Sequence, residues 1–340
     1  MDTAQNTKIA FFEIKPWEIE EIKKQFNRYN IEFFEERLTQ DNISKVKDVE
    51  IISTFIKTEL SGHLLSQMPA LKFISTRSTG YDHIDKEYCE ANGIKVSNVP
   101  NYGANTVAEH AVSLLLAIYK RIPESSEKVR SGYFNPEGLT GLDLMGKTIG
   151  ILGTGNIGQN MAKYVIAFGA HALAYDINPD QKFADLECVK YVGLEDVWAK
   201  SDVISLHLPY CDDTHHIINR DSISKMKKGV VIINTARGGL IETDALFDAI
   251  RDGHVGGAGL DVLEEEGFLA EEIELLHTDK HSDNVDFKIA LENHMLAHLP
   301  NVIITPHNAF NTAEALQRIV TITIENIKSY LSGDVKNLIK

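Results

Sequence analysis

Short apolar runs recur along the chain, separated by polar stretches compatible with helix. In the first hundred residues the runs are KIAFFEI (8–14), IEFFEE (31–36), VEIISTF (49–55), LKFISTR (71–77) and IKVSNV (94–99), with segments such as PWEIEEIKKQFNRY between them. Strand-length apolar runs alternating with helical stretches predict a parallel sheet covered by helices. A second and stronger series starts at Lys147: TIGILG (148–153), HALAYD (171–176), VKYV (189–192), VISLHLP (203–209), VVIINTA (230–236), GGAGLDV (256–262) and NVIITPH (301–307). Continuous β-branched runs such as 230–233 are those of strands buried on both faces. The expected fold is therefore α/β, with two doubly wound parallel-sheet domains. A Rossmann-type domain over 103–308 is inserted in a discontinuous, flavodoxin-like domain made of 1–102 and 309–340. The final helical stretch, TAEALQRIVTITIENIKSYL, is expected to return to the first domain. A helix over NTVAEHAVSLLLAIYKRI should start at a capping Asn105 or Thr106. The acidic, histidine-bearing stretch 267–300 reads as an unusually long connection with helical pieces.

Composition narrows the partners. The chain has 340 residues, 43% hydrophobic and 24% charged, enough for two cores. Its 49 acidic and 34 basic side chains leave a net charge of −15, so a phosphate backbone or an anionic membrane would be repelled. No nucleic-acid or membrane partner is expected, whereas a small anion held by one local arginine is compatible with that field. Cys89, Cys188 and Cys211 are scattered and form neither a CxxC pair nor a disulfide framework. With no signal-like start and no apolar run of membrane-spanning length, the expected location is the cytoplasm.

The chemistry gathers at the ends of the second series of strands. GTGNIG (153–158) fits G-x-G-x-x-G, directly after one strand and opening a helix. Gly153 suits a tight turn, Gly155 a close backbone approach to a pyrophosphate, and Gly158 close helix–strand packing. About twenty residues further on, at the usual spacing, Asp176 ends the next strand, where it would accept from a ribose diol. A carboxylate there repels a 2′-phosphate, and DINPD brings no arginine, so NAD is expected rather than NADP. Three other strand ends carry Arg237, the acidic pair Asp261 and Glu266, and His307. In a parallel sheet such tips emerge at one edge, beside the nicotinamide. Reducing a 2-oxo acid by hydride needs a cation for the carboxylate and a proton donor for the carbonyl oxygen. Arg237 suits the first task through its planar fork, and His307 the second. Glu266 would orient the imidazole and favour its protonated form. Taken singly, each has a plainer use: a surface salt bridge for Arg237, a solvated EEE loop (264–266) for Glu266, a cap or packing role for His307.

The pieces TRSTGYDHID, NVPNYGANTVAEHA, GKTIGILGTGNIG, LHLPYCDDTHHIIN, INTARGG, GLDVLEEE and ITPHNAF occur in this order. With them the chain resembles the D-isomer-specific 2-hydroxyacid dehydrogenase family over nearly its whole length, and PHNAF followed by NT resembles its D-lactate dehydrogenase branch. The resemblance implies that Arg237 binds the substrate carboxylate, that Glu266 raises the pKa of the acid/base, and that His307 is that acid/base. It implies substrate contacts from Ser78, Thr79, Gly80 and Tyr102, across a cleft from the cofactor domain, and from Phe310 lining a small apolar pocket. It also carries over cofactor contacts at Asn156, Ile157, Asp176, Leu208, Pro209, Thr214, Thr235, Ala236 and Asp261. A homodimer is a family expectation. Ser78 and Thr79 depart from the apolar residues found before this glycine elsewhere in the branch, which leaves pocket size open.

Other polar groups are read as structural. His294 and His298 stand at i, i+4, but without HExxH chemistry no metal is expected. His215 and His216 read as solvated, and Glu109–His110 as a structural pair. The sequence thus points to NAD-dependent reduction of a small 2-oxo acid, pyruvate to D-lactate first. The rivals are a dehydrogenase for bulkier branched-chain or aromatic acids and a non-catalytic, corepressor-like NAD sensor.

Overall fold

A computed structural model describes residues 7–264 and 287–339. By contact, the residues up to Tyr102 and those from Thr312 form one compact unit, and Gly103–Asn311 the other. The division falls at Asn311–Thr312 rather than at 308/309, because Thr312 caps the final helix, Ala313–Ser332, by accepting from the Ala315 amide.

Among its described residues the first unit holds five strands, β1 (Lys8–Phe11), β2 (Asn30–Phe33), β3 (Ile51–Thr54), β4 (Phe73–Thr76) and β5 (Lys95–Ser97), all parallel in the order β2-β1-β3-β4-β5. That is the flavodoxin-like winding. Because side chains alternate across a strand, Ile9 and Phe11 pack on one face while Ala10 enters the core on the other. The final helix closes the first of these faces with Val320, Ile324 and Ile327, and Tyr330 stacks on Phe73 with centroids 4.3 Å apart.

Among its described residues the second unit holds seven parallel strands: β6 (Thr148–Leu152), β7 (His171–Tyr175), β8 (Lys190–Tyr191), β9 (Val203–Leu206), β10 (Val230–Asn234), β11 (Val255–Leu260) and β12 (Val302–Ile304). Their order is β12-β11-β10-β9-β6-β7-β8. The winding reverses between β6 and β9, the switch point where ligands bind in open α/β sheets. β10 is buried throughout, Val231 and Ile233 facing one core and Val230 and Ile232 the other. One expectation fails locally. The helix after NVPNYG is Ala104–Tyr119 with Gly103 at its N-cap and no side-chain cap. Thr106 is instead a buried residue of its first turn, packing the helix rather than ending it.

Among the described residues no helix is long and apolar enough to cross a membrane. No group of three or more metal-ligating side chains occurs among them. His294 and His298 lie with ring centroids 4.6 Å apart, and His298 Nδ1 approaches the His294 carbonyl at 2.8 Å as a local helix contact.

Candidate active site

The ladder register brings the predicted residues to one edge. Tyr175 pairs with Leu152, Leu152 with Leu206, Leu206 with Asn234, Asn234 with Leu260, and Leu260 with Ile304. The residues that follow this row are Asp176, Gly153, His207–Pro209, Thr235–Arg237, Asp261 and Thr305–His307. Residues that the sequence spreads over more than a hundred positions therefore stand side by side.

At the switch point, Gly153 has φ +89° and a Cβ there would sit 2.6 Å from the His207 carbonyl oxygen. A Cβ on Gly158 would lie 1.9 Å from the Gly153 carbonyl oxygen, so turn and helix close on each other only because neither carries one. Gly155 differs: it is the N-cap of the helix Asn156–Ala167, and a Cβ on it would meet nothing within 4 Å. The turn thus presents bare backbone and a helix N-terminus, starting at Asn156 and Ile157, on an open side, which fits a pyrophosphate. Asp176 follows β7 directly. One oxygen accepts from the Thr154 amide (2.6 Å) and hydroxyl (3.0 Å), the other from the Asn178 amide (2.8 Å). Burial opposes its ionisation, but these hydrogen bonds outweigh burial and hold the carboxyl below its ordinary value. A carboxylate has about four lone-pair directions, so acceptor capacity remains for a ribose diol. The Tyr191 hydroxyl donates to Thr154 Oγ1 (2.8 Å) and braces the pair from β8. Nothing in the sequence singled out that brace, because Tyr191 carries no spacing signal. These residues fit NAD.

Between the two halves of the row lies the loop after β9. Leu208 is half-buried and Pro209 exposed, and the Thr214 hydroxyl closes the loop by donating to the Pro209 carbonyl (2.7 Å). Thr235 is buried at the tip of β10, its Oγ1 without a hydrogen-bond partner, and Ala236 beside it is half-buried. His207 sits where the loop begins. Burial pushes its imidazole down to about 4, its Nε2 faces Ser205 Oγ (2.9 Å), and Nδ1 is buried without a partner.

Arg237 is half-buried in extended backbone, followed by a 3₁₀ turn, Gly238–Leu240. Asn234 shapes this tip by accepting from the Ala236 amide (3.0 Å) and donating to the Arg237 carbonyl (2.8 Å). The two glycines after Arg237 are clearances. A Cβ on Gly238 would lie 2.0 Å from the Leu263 carbonyl, and one on Gly239 would lie 2.6 Å from the Tyr210 ring.

Asp261 is almost fully buried, and both its oxygens are engaged inside the protein. Oδ1 accepts from the Thr305 hydroxyl (2.5 Å) and the Asn308 amide (2.9 Å), and Oδ2 from the Ala309 amide (2.8 Å). His110 Nε2 lies 3.0 Å from Thr305 Oγ1 and 3.5 Å from Asp261 Oδ1, tying the helix Ala104–Tyr119 into the same knot. Its sequence neighbour Glu109 instead meets Asn105 and Tyr164. The loop so anchored carries His307, whose backbone takes φ +49° and whose amide reaches the Asp261 and Thr305 carbonyls, both at 2.9 Å. A left-handed non-glycine residue is held only by its surroundings. Phe310 follows on this loop, half-buried. Glu266 lies outside the described residues.

In the other unit, Ser78, Thr79 and Gly80 follow β4. The Ser78 hydroxyl donates to the Gly80 carbonyl (2.6 Å) and the Thr79 hydroxyl to the Val99 carbonyl (2.8 Å), so both shape the loop. Before them Arg77 is buried and donates to the Phe12 and Glu13 carbonyls (2.7 and 2.8 Å). The Tyr102 carbonyl accepts from Arg318 Nε (2.5 Å). The expected solvated character of His216 is corrected: its Nε2 contacts Glu264 Oε1 at 2.6 Å, and its ring stacks on His215 at 3.7 Å.

Comparison with known proteins agrees with this arrangement. Residues 112–309 match the family model for the NAD binding domain of D-isomer specific 2-hydroxyacid dehydrogenases. D-lactate dehydrogenase of Escherichia coli is 32% identical, with 96% of this chain and 98% of that protein covered. Hydroxypyruvate reductase of Thermotoga maritima is 37% identical over 92% of this chain and 95% of its own. The structure of D-lactate dehydrogenase from Aquifex aeolicus, complexed with NAD and lactic acid, is 36% identical, with 96% of both chains covered and a TM-score of 0.87. The chain belongs to the D-isomer-specific 2-hydroxyacid dehydrogenase family and, within it, to the D-lactate dehydrogenase branch of NAD-dependent oxidoreductases.

Proposed function

We propose that this enzyme reduces a small 2-oxo acid to the D-2-hydroxy acid, pyruvate to D-lactate first. The observation that carries the reading is the single row of strand ends on which the Arg237 tip, the Asp261-anchored loop of His307 and the dinucleotide turn stand together. NADH, when bound at Gly153–Gly158 and Asp176, supplies the hydride for C2. Arg237 holds the carboxylate through its fork, which fixes the face of the carbonyl that is presented. His307 donates the proton that neutralises the developing alkoxide. Glu266 keeps that imidazole protonated in the reduction direction. Ser78, Thr79, Gly80, Tyr102 and Phe310 complete the substrate contacts, and Leu208, Pro209, Thr214, Thr235, Ala236 and Asp261 those of the cofactor. The working location is the cytoplasm.

The experiment is NADH oxidation, followed by absorbance, with pyruvate, 2-oxobutyrate, 2-oxoisocaproate, phenylpyruvate and hydroxypyruvate, with NADPH as control and product chirality determined. The expected result is a preference for pyruvate with D-lactate formed. A preference for the bulky acids, or for hydroxypyruvate, would move the substrate and leave the mechanism. Turnover of none of them would favour an NAD sensor instead. The partner is a second copy of the chain, a reading supported by the exposed apolar side chains Ile122, Val129, Tyr133, Phe134, Leu142 and Met145. Light scattering that returned a monomer would remove it.

A further inference from the structure

Glu264 opens the EEE run, yet its side chain is only 12% exposed and both carboxylate oxygens are occupied by protein donors. Oε1 lies 2.6 Å from His216 Nε2, and Oε2 accepts from the Thr243 amide (3.0 Å) and hydroxyl (2.6 Å). A carboxylate only accepts, so His216 carries its proton on Nε2. All three of these donors belong to the protein, so the visible use of Glu264 lies in what it joins.

It joins three stretches that surround the backbone of Arg237. His216 donates its amide to the Gly239 carbonyl (2.9 Å), and Ile218 to the Leu240 carbonyl (3.0 Å), so 216–218 runs as a short ladder beside the turn that follows Arg237. Leu263, next to Glu264, lies against Gly238 so closely that a Cβ would overlap its carbonyl. Thr243 starts the helix Thr243–Arg251, which continues from the same turn. Asn293 Nδ2 also donates to the Glu264 carbonyl (2.8 Å), fastening the backbone at this point.

We infer that Glu264 is a positioning residue for Arg237, its carboxylate clamping the 216–218 ladder and the 263–264 backbone onto the Arg237–Gly239 turn. The inference rests on the reading of Arg237 as the carboxylate clamp. Displacing that turn misaims the guanidinium, and an arginine fork out of line with a carboxylate loses its bidentate bond.

The test is steady-state kinetics of Glu264→Gln with NADH and the preferred 2-oxo acid. The amide keeps the volume, but its NH₂ must face the donors of either His216 or Thr243. KM for the 2-oxo acid should rise about tenfold, the size of one weakened charge-assisted contact, while the NADH Kd from fluorescence stays within about twofold. In an Arg237→Lys background the same substitution should add little, because coupled residues are not additive. Should Glu264→Gln fold poorly, His216→Asn tolerates the left-handed backbone there (φ +49°) and cuts only the ladder side of the clamp. It should give the same rise in KM. A lowered Tm with unchanged KM in these variants, or a rise that persists in full beside Arg237→Lys, would overturn the inference. If Arg237→Lys alone left KM unmoved, the clamp reading itself would fail and take the inference with it.

Discussion

The dinucleotide turn and the strand tips that hold Arg237 and His307 are built in opposite ways. The turn is made from nearly consecutive residues: Gly158 clears the Gly153 carbonyl of its own segment, Gly155 leaves the helix start open, only Gly153 answers to a distant carbonyl, that of His207, and Asp176 arrives one strand later. The tips that carry Arg237 and His307 are made from residues far apart in the chain. Asp261 is bonded to Thr305, Asn308 and Ala309, more than forty residues on, and His110 reaches Thr305 from another helix. A short motif suffices where the ligand is gripped by backbone. Where a side chain must be aimed at a reacting atom, the fold supplies an orienting shell from elsewhere.

The contrast can be broken at each end. Asp261→Asn places an amide NH₂ among donors that now meet a carboxylate, so the loop of His307 must shift. Turnover at saturating substrates should fall about a hundredfold, the cost of about 1 Å of misplacement in a reacting group. A kcat equal to that of the parent, in steady-state assays, would mean that the loop holds His307 without its anchor. Gly158→Ala strikes the local end: its Cβ would overlap the Gly153 carbonyl, and the turn must open. The NADH Kd, titrated by fluorescence, should weaken at least about tenfold with kcat less affected, since the turn binds rather than reacts. Unchanged binding would show that the turn yields at no cost.

The smallest effect is expected at His207, where the two constructions touch. Burial lowers its pKa to about 4, against about 6.5 in an unfolded chain. Between those values the unfolded state binds more protons, so the contribution of neutral His207 is complete above pH 6.5 and is lost as pH falls towards 4. The loss is on the order of 1–3 kcal/mol, several degrees in Tm. His207→Gln should flatten that part of the pH profile in thermal unfolding from pH 7 to pH 4. Parallel profiles for the two proteins would reject the assignment.

Legibility followed the same division. The strands were readable because a doubly covered parallel strand must be apolar on both faces, as 230–233 is. Asp176 was readable because one crossover fixes its distance from the glycines. Glu264 was not: a run of three glutamates carries the pattern of a solvated loop, and only its contacts with His216 and Thr243 distinguish the first of them. His110 was legible as structural, but its partner across the fold was not. The glycines after Arg237 were visible as a motif, while the Leu263 backbone and Tyr210 ring that need their clearance were not.

By itself, then, the sequence determined the periodicity of the strands, the open glycine turn and its acidic partner, and the kinds of side chain at each tip. These depend on local sterics and on hydrophobic alternation, which neighbouring residues carry between them. Only the tertiary structure decided the order in which the tips stand along their row, which carboxylates serve as anchors inside the protein, and how the backbone of Arg237 is held. Those outcomes depend on strand order and on hydrogen bonds between distant segments, and burial gives such bonds their strength once the strands have come together.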